Sequence, residues 1–484
     1  MEHLTARAPR SRVTDPSVPD APWPELLSAA LVGTARTAVP GPPAAEGRAA
    51  LELLDRAAAA VVRERAGVRP GAAEPLPPAR AEALPAAPPA AGARLEALLA
   101  EERYEPAGEW LRIAVLKGVL APPHVLPALL DAAARNREGL HRPDVLRVCG
   151  ERGRWLARLE PRWSFADPPR DAAAALPGRE RWGAAPAGER RRMLAALEPC
   201  PSAGHEAFLG AALSDPAPGV RALALSLLAR LPGAGHRRTL AALARRHVRP
   251  GARAPVVRPP DPRDAELAAA LGLRPGDRTG VSAEEVGREW LWTLVGHAPL
   301  DTWIGHLGAG RAEVVRAAGR LREWDLLEAL ANAAVVQQDA AWAAALLGPI
   351  MDRLLLGHSM HGSRGPALVR LAPPEARAEW ALRRLRGRGA GAPGTALVVL
   401  ERVPGPWTAP LAARAARIIE RAGRDRPGGR LDGLCRTAGL RLPPEMHTRP
   451  GFAPRPGDPP ESAAALRDLT ATLRFRHDMH EEFD

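Results

Sequence analysis

The sequence predicts an all-α protein, and three observations carry that prediction. Apolar residues recur at helical spacing over most of the 484 residues. Strand formers are scarce: aromatics make up 4%, with five Phe and one Tyr against 12 Trp, while Ala, Leu and Arg dominate. The 53 Pro and 45 Gly punctuate the apolar stretches, as helix ends require. No part of the sequence reads as a β-hairpin.

The strongest element is residues 205–231, HEAFLGAALSDPAPGVRALALSLLARL. It predicts two antiparallel helices around one tight turn. Leu209, Ala212 and Leu213 share a face of the first. Val220, Leu223, Ala224, Leu227, Leu228 and Leu231 form the i, i+3, i+4, i+7 stripe of the second. In the SDPAPG turn, Asp215 is placed to cap the N–H groups of the following helix, and Pro216 suits its first turn. Helix, Asp-Pro turn, Val220-Arg221 and apolar helix together resemble a HEAT-repeat unit. In such stacks a turn Asp215 and an Arg221 at the start of the second helix can bond along the stack. The architecture expected is therefore an α-solenoid, HEAT-like at its centre, with Pro/Gly-rich linkers. Helices at 187–197 and 236–247 are expected to pack on the pair.

From the N-terminus, residues 1–20 read as a disordered arm rich in Pro, Ser and Arg. An N-terminal helical domain covers 21–163. It opens with a short helix carrying Leu26, Leu27, Ala30 and Leu31, stopped by Gly33. A helix over 48–65 turns Leu51, Leu54, Ala58, Val61 and Val62 inward. Residues 68–92, rich in Pro and Ala, read as a flexible loop. Helices follow at 93–103, 107–120 and 123–135, and then over 144–163, interrupted at Gly150 and Gly153. After a linker at 164–178, central HEAT-like helices occupy 177–250, and 251–264 breaks the chain. A C-terminal helical repeat region spans 265–448. Its best start signal is the capping box of Ser282 and Glu285 inside a Val281/Val286 staple. Helices are then expected at 300–307, 312–321, 324–336, 339–347, 349–356, 374–386 and 408–422. A Pro-rich linker and a last helix at 462–476, ending in HEEFD, make up 449–484.

Several motifs are similar to a known family. W-x-x-L-L-x-x-A-L-V-G-T-x-R at 23–36, L-L-D at 129–131, G-x-R-G-x-W-L at 150–156 and P-x-W at 161–163 resemble a bacterial family of unknown function. The unit of Asp215, Pro216, Val220 and Arg221 falls where that family has its HEAT-like segment. Members are often encoded beside MoxR-type AAA ATPases, von Willebrand A-domain proteins and SWIM zinc-finger proteins. The resemblance implies the AAA ATPase or the von Willebrand A-domain protein as a partner and implies no reaction.

Net charge is +12, from 67 basic and 55 acidic residues, and Lys117 is the only lysine. Arg is scattered over helices that also carry Glu, so a solvated Arg/Glu surface is expected ahead of a nucleic-acid footprint. Cys149, Cys200 and Cys435 are odd in number and widely spaced, which suggests neither a disulfide framework nor a zinc knuckle. That suits a reducing cytoplasm. The N-terminus carries no secretory signal, and no apolar run reaches the length of a membrane span.

Candidate chemistry is sparse. His358/His361 and His477/His480 are i, i+3 pairs without a third ligand at zinc spacing, so no metal site is expected. GHLGAGR at 305–311 lacks the preceding strand and the Gly-Lys-Ser/Thr ending of a phosphate loop and reads as an inter-helix turn. No G-x-S-x-G, no H-E-x-x-H and no Cys/His couple with recognisable context is present, so neither catalytic residues nor a cofactor are expected. Arg152 and Arg154, set among Gly150, Gly153 and Trp155, are candidate partner-binding residues, as is Arg221. The alternative is that the glycines let two helices turn and Trp155 fills the corner. Asp215, Pro216, Val220 and Arg221 are expected to serve the repeat itself. The function expected is a non-catalytic scaffold or adaptor that offers a helical surface to other proteins. A HEAT-like nucleic-acid binder with a basic concave face is the alternative. An enzyme with a site assembled between helices is a third.

Overall fold

The structure is a computed structural model that describes residues 23–39, 47–65, 76–135, 139–167, 179–198, 201–252, 255–274, 280–321, 324–355, 364–386, 392–425 and 429–484. The arm at 1–20, the pair His358/His361 and Cys200 lie outside the described residues. The chain divides into two compact units, Met1–Pro78 and Ala79–Asp484. The boundary falls inside the span read from sequence as one helical domain over 21–163.

The first unit holds α1 (Trp23–Val32) and α2 (Ala49–Arg65). They share a small core of Leu26, Ala29, Val39 and Leu53, with Ala49 and Ala60 packed against it. Gly33 ends α1 at φ +94°, a left-handed conformation that suits glycine. The buried faces differ from those expected. Leu27, Leu31, Leu51, Leu54 and Val62 are exposed. One seam between two helices buries only a narrow stripe, and Leu26, Ala29, Val39 and Leu53 occupy it.

The second unit opens with α3 (Pro89–Ala100), α4 (Tyr104–Lys117), α5 (Leu126–Ala134) and α6 (Arg142–Leu159). It continues through α7 (Arg179–Ala184), α8 (Ala187–Ala195), α9 (Glu206–Ala212), α10 (Pro218–Arg230) and α11 (Gly235–His247). Next come α12 (Ala265–Leu271), α13 (Ala283–His297), α14 (Asp301–Leu307), α15 (Arg311–Leu321), α16 (Trp324–Gln337) and α17 (Ala340–Leu355). The last are α18 (Arg364–Leu371), α19 (Pro374–Arg384), α20 (Pro393–Leu400), α21 (Ala409–Asp425), α22 (Gly429–Gly439) and α23 (Pro460–Glu481).

The all-α expectation holds, with one correction. A two-residue antiparallel pair, β1 (Val248–Arg249) and β2 (Val256–Val257), sets Val248 opposite Val257. β-Branched residues flank the Pro250-Gly251 turn, and that local chemistry was read only as a chain break. Pro349 does not break its helix either. It sits inside α17, where Leu346, Leu347, Ile350 and Met351 are all buried and packing outweighs one lost backbone bond. The 449–461 linker contains a 3-10 turn, Pro450–Phe452, whose Phe452 is fully buried. The part of 68–92 that is described is fastened: the Ala87 N–H donates to Leu120 O and the Leu120 N–H to Pro85 O, both at 2.8 Å.

α9 and α10 pack together, and α8 and α11 both pack on α10. Val220, Ala224, Leu227, Leu228 and Leu231 are buried as the spacing requires, and Leu225 joins them while Leu223 is half-buried. The turn differs in detail. Pro218, not Pro216, occupies the first turn of α10, and Ala217 is its N-cap. The Ser282/Glu285 capping box forms as read, with the Glu285 N–H donating to Ser282 Oγ at 3.2 Å.

From α8 onward, helices pack mostly on near neighbours in sequence, and their buried residues join into one core over residues 194–473. The opening block, residues 87–166, has a core of its own. α23 belongs to both. Ala465, Leu466, Leu469 and Leu473 lie in the long core, while Met479 and Phe483 complete the core of the opening block.

Candidate functional site

Three clusters of polar side chains are built into the second unit. The first surrounds the turn at Asp215, which is buried. Its carboxylate accepts from Arg190 of α8 at 2.8 and 3.0 Å and from the Ala217 N–H at 2.9 Å. Arg221, also buried, donates to Gly272 O at 2.6 Å and to Asp215 O and Pro216 O at 2.9 Å. Asp215 and Arg221 therefore meet through a main-chain carbonyl, and the carboxylate faces the preceding helix. Val220 is buried beside them. These groups fasten α8, α10 and the end of α12.

The second cluster lies at Gly150. α6 continues through this residue at φ +59°, ψ −154°, a region that only glycine enters without strain. The kink turns the N–H groups of Glu151 and Arg152 outward, and the Glu82 carboxylate accepts both at 2.8 Å. Gly153 is buried against Cys149, where a Cβ would collide with the cysteine Cβ. The Arg152 side chain is exposed. Arg154 is half-buried, with its Nε 3.9 Å from Glu151 Oε1. Trp155 is half-buried at the corner. Two more motif residues meet nearby in sequence: the Trp163 indole donates to Asp131 at 2.8 Å. Burial pushes the Cys149 thiol up to about 12, and Glu82 adds to the effect.

The third cluster lies where α23 crosses α4. Glu109 accepts from Arg476 Nε at 2.5 Å and Nη2 at 2.8 Å, and contacts His480 Nε2 at 2.9 Å. Arg476 is 2% exposed, so every guanidinium nitrogen needs a partner, and Nη1 finds Gly439 O and Leu442 O at 2.7 Å. Burial alone would raise the Glu109 pKa; the bonds from His480 and Arg476 overcome it and hold the carboxyl at about 2. Around this centre the chain end is clamped. Phe475 lies between the guanidinium groups of Arg94 and Arg103, at 4.6 and 4.4 Å. Arg94 Nε donates to Glu482 at 3.1 Å, and Lys117 pairs with Asp484. The Phe483 ring packs 5.2 Å from Trp110, whose indole donates to Ala91 O.

His480 therefore joins a buried ion-pair network, and His477 stacks on His447 with ring centroids 4.6 Å apart. Sequence reasoning left Glu109, Arg476, Arg190 and Glu82 unmarked. One signal was legible. The buried stripe Leu466, Leu469, Leu473 continues in helical register to Arg476, Met479 and Phe483, so the last helix had to run on past 476.

Among the described residues, no group of three His, Cys, Asp or Glu is arranged to hold a metal ion. No described helix is long and apolar enough to cross a membrane. No curated protein and no solved structure matches the chain. A family profile does match, over residues 25–180 and 166–483, and the protein belongs to the family of unknown function DUF5691.

Proposed function

We propose that the protein is a non-catalytic scaffold that binds other proteins on a surface of stacked helices. One observation carries the reading: a continuous core over residues 194–473 built by helices that pack on near neighbours. Such an arrangement leaves the outer faces of its flanking helices for partners, while α16 is buried along most of its length. The buried charged groups support it. Arg190, Asp215 and Arg221 are held by bonds that tie α8, α10 and the end of α12 together, and Glu109 and Arg476 by bonds that tie α4 to α23. Arg152, exposed at the kink of α6, is the partner-binding candidate that remains accessible. Partners of the class encoded beside the family, a MoxR-type AAA ATPase or a von Willebrand A-domain protein, fit this role. A cytoplasmic location suits the free thiols of Cys149 and Cys435.

The test is capture followed by reconstitution. The tagged full chain, purified from its native cell, is expected to bring down the ATPase or the A-domain protein. The purified pair is expected to sediment as one complex of fixed stoichiometry. Capture of neither, with no other protein enriched over a tag-only control, overturns the proposal.

A further inference from the structure

α1 and α2 each carry two apolar stripes, and only one of the two is buried. In α1, Leu26 and Ala29 enter the small core, while Trp23, Leu27, Ala30 and Leu31 are exposed. In α2, Leu53 is buried, while Leu51, Leu54, Ala58 and Val62 are exposed. Successive helix positions turn by about 100°, so Leu27 stands roughly a right angle from Leu26, and Leu54 from Leu53. Two helices packed as a pair need one stripe each. A helix in a four-helix bundle touches two neighbours, roughly a right angle apart, and needs both. The first unit therefore encodes helices for a bundle of four and supplies two of them. A unit with so small a core needs a disulfide, a metal or a further copy to hold it. Residues 1–78 contain no cysteine and a single histidine, His3, so neither a disulfide nor a His/Cys zinc set can serve.

We infer that the α1/α2 unit pairs with the α1/α2 unit of a second copy of this chain, closing one four-helix bundle about a two-fold axis. Area and complementarity both favour a second copy. Trp23, Leu27, Leu31, Leu51, Leu54 and Val62 are 47–79% exposed. Together they leave roughly 650 Å² uncovered, against about 800 Å² per partner in a standard-size interface, and Ala30 and Ala58 bring the sum closer. Among the described residues of the second unit, the large apolar side chains left exposed are Leu84, Leu116, Leu159, Val256, Val281 and Val398, one to an element. Scattered side chains of that kind are ordinary surface, whereas apolar stripes of this extent mark an interface. Among the described residues, the face that matches the stripes of α1 and α2 is their own on another copy. Such a contact is isologous and stops at two copies. It does not rest on the scaffold reading, because a monomer can bind other proteins as well as a dimer can; a dimeric scaffold would present every partner site twice.

The test is sedimentation velocity of the full chain in reducing buffer, over a concentration series reaching 100 µM. The native chain is expected to reach twice its mass of 51.4 kDa and no more. L27E/L54E places a carboxylate in each exposed stripe without touching the buried one, and is expected to weaken dimerisation at least about tenfold. L116E/V398E, made at two of the scattered positions, is expected to leave the dimer intact. If L27E/L54E loses helix content by circular dichroism, L31E, at the most exposed position of the stripes, takes its place with the same expectation. Hydrogen exchange of the native chain needs no variant: protection of α1 and α2 is expected to rise with concentration over the range in which the dimer forms. A monomer at 100 µM overturns the inference. So does a dimer that survives L27E/L54E, an equal loss in L116E/V398E, or a series of species larger than the dimer.

Discussion

Glu109 is a carboxylate inside an apolar seam, and its charge depends on two side chains from the far end of the chain. Its folded pKa of about 2 lies below the ordinary 4.5. A depressed carboxyl pKa stabilises the folded state above the ordinary value, and that stability drains away as pH falls from about 4.5 toward 2. The amount is roughly 3 kcal/mol. Urea denaturation of the native chain and of Glu109→Gln at pH 7, 5, 4 and 3 measures it. The variant is expected to lack this part of the acid-dependent loss. Glu109→Ala leaves Arg476 buried without a counter-charge and is expected to cost about 3–5 kcal/mol, whereas Glu109→Leu with Arg476→Leu recovers most of it. Thiol chemistry follows the same logic of burial. Cys149 and Cys435 are buried with pKa values pushed up to about 12, so a thiol reagent at pH 8 is expected to label them only as fast as the fold opens. At this scale little was legible beforehand. Glu109 and Arg476 are 367 positions apart, and nothing in either neighbourhood names the other.

The elements were easier to read wherever their signals were local. The capping box at Ser282 needs only four consecutive residues, and the structure forms it. The apolar stripe of α10 was legible for the same reason. α22, with Gly429, Gly433 and Gly439, carries too weak a helical signal to stand out and exists because α20, α21 and α23 pack on it. α6 lies between these cases. Gly150 announced an interruption, but its reason is Glu82, which sits 69 and 70 residues before the N–H groups it caps. Gly150→Ala would force a side chain into a glycine-only conformation and onto the Glu82 carboxylate. A loss of about 1–3 kcal/mol is expected in a thermal or urea melt. Glu82→Ala removes the cap without the strain and is expected to cost about 1 kcal/mol. If both variants melt like the native chain, the kink is not held as described.

Across the whole chain, the all-α class was written in composition and periodicity, and the short β1/β2 pair does not disturb it. The way the second unit closes was not written there. Neighbour packing alone would leave its opening block and its long core as separate bodies, and α23 threads both. Removing residues 478–484 takes away Met479, His480, Glu482, Phe483 and Asp484 together. Hydrogen exchange is expected to quicken across α3, α4, α5 and α6 in that truncation while α13 and α16 keep their protection. Uniform loss of protection would mean that the two cores are a single cooperative body.

The sharing of α23 also has a meaning for synthesis. The ribosome delivers Glu109 and Trp110 some 370 residues before their partners Arg476 and Phe483. At about 5–20 residues per second, some 20–70 s separate the two. For that interval the nascent chain exposes an indole and an unneutralised carboxylate in a half-built helical block. The emergence of α23, more than any earlier step, marks the moment at which the first-made part can become native.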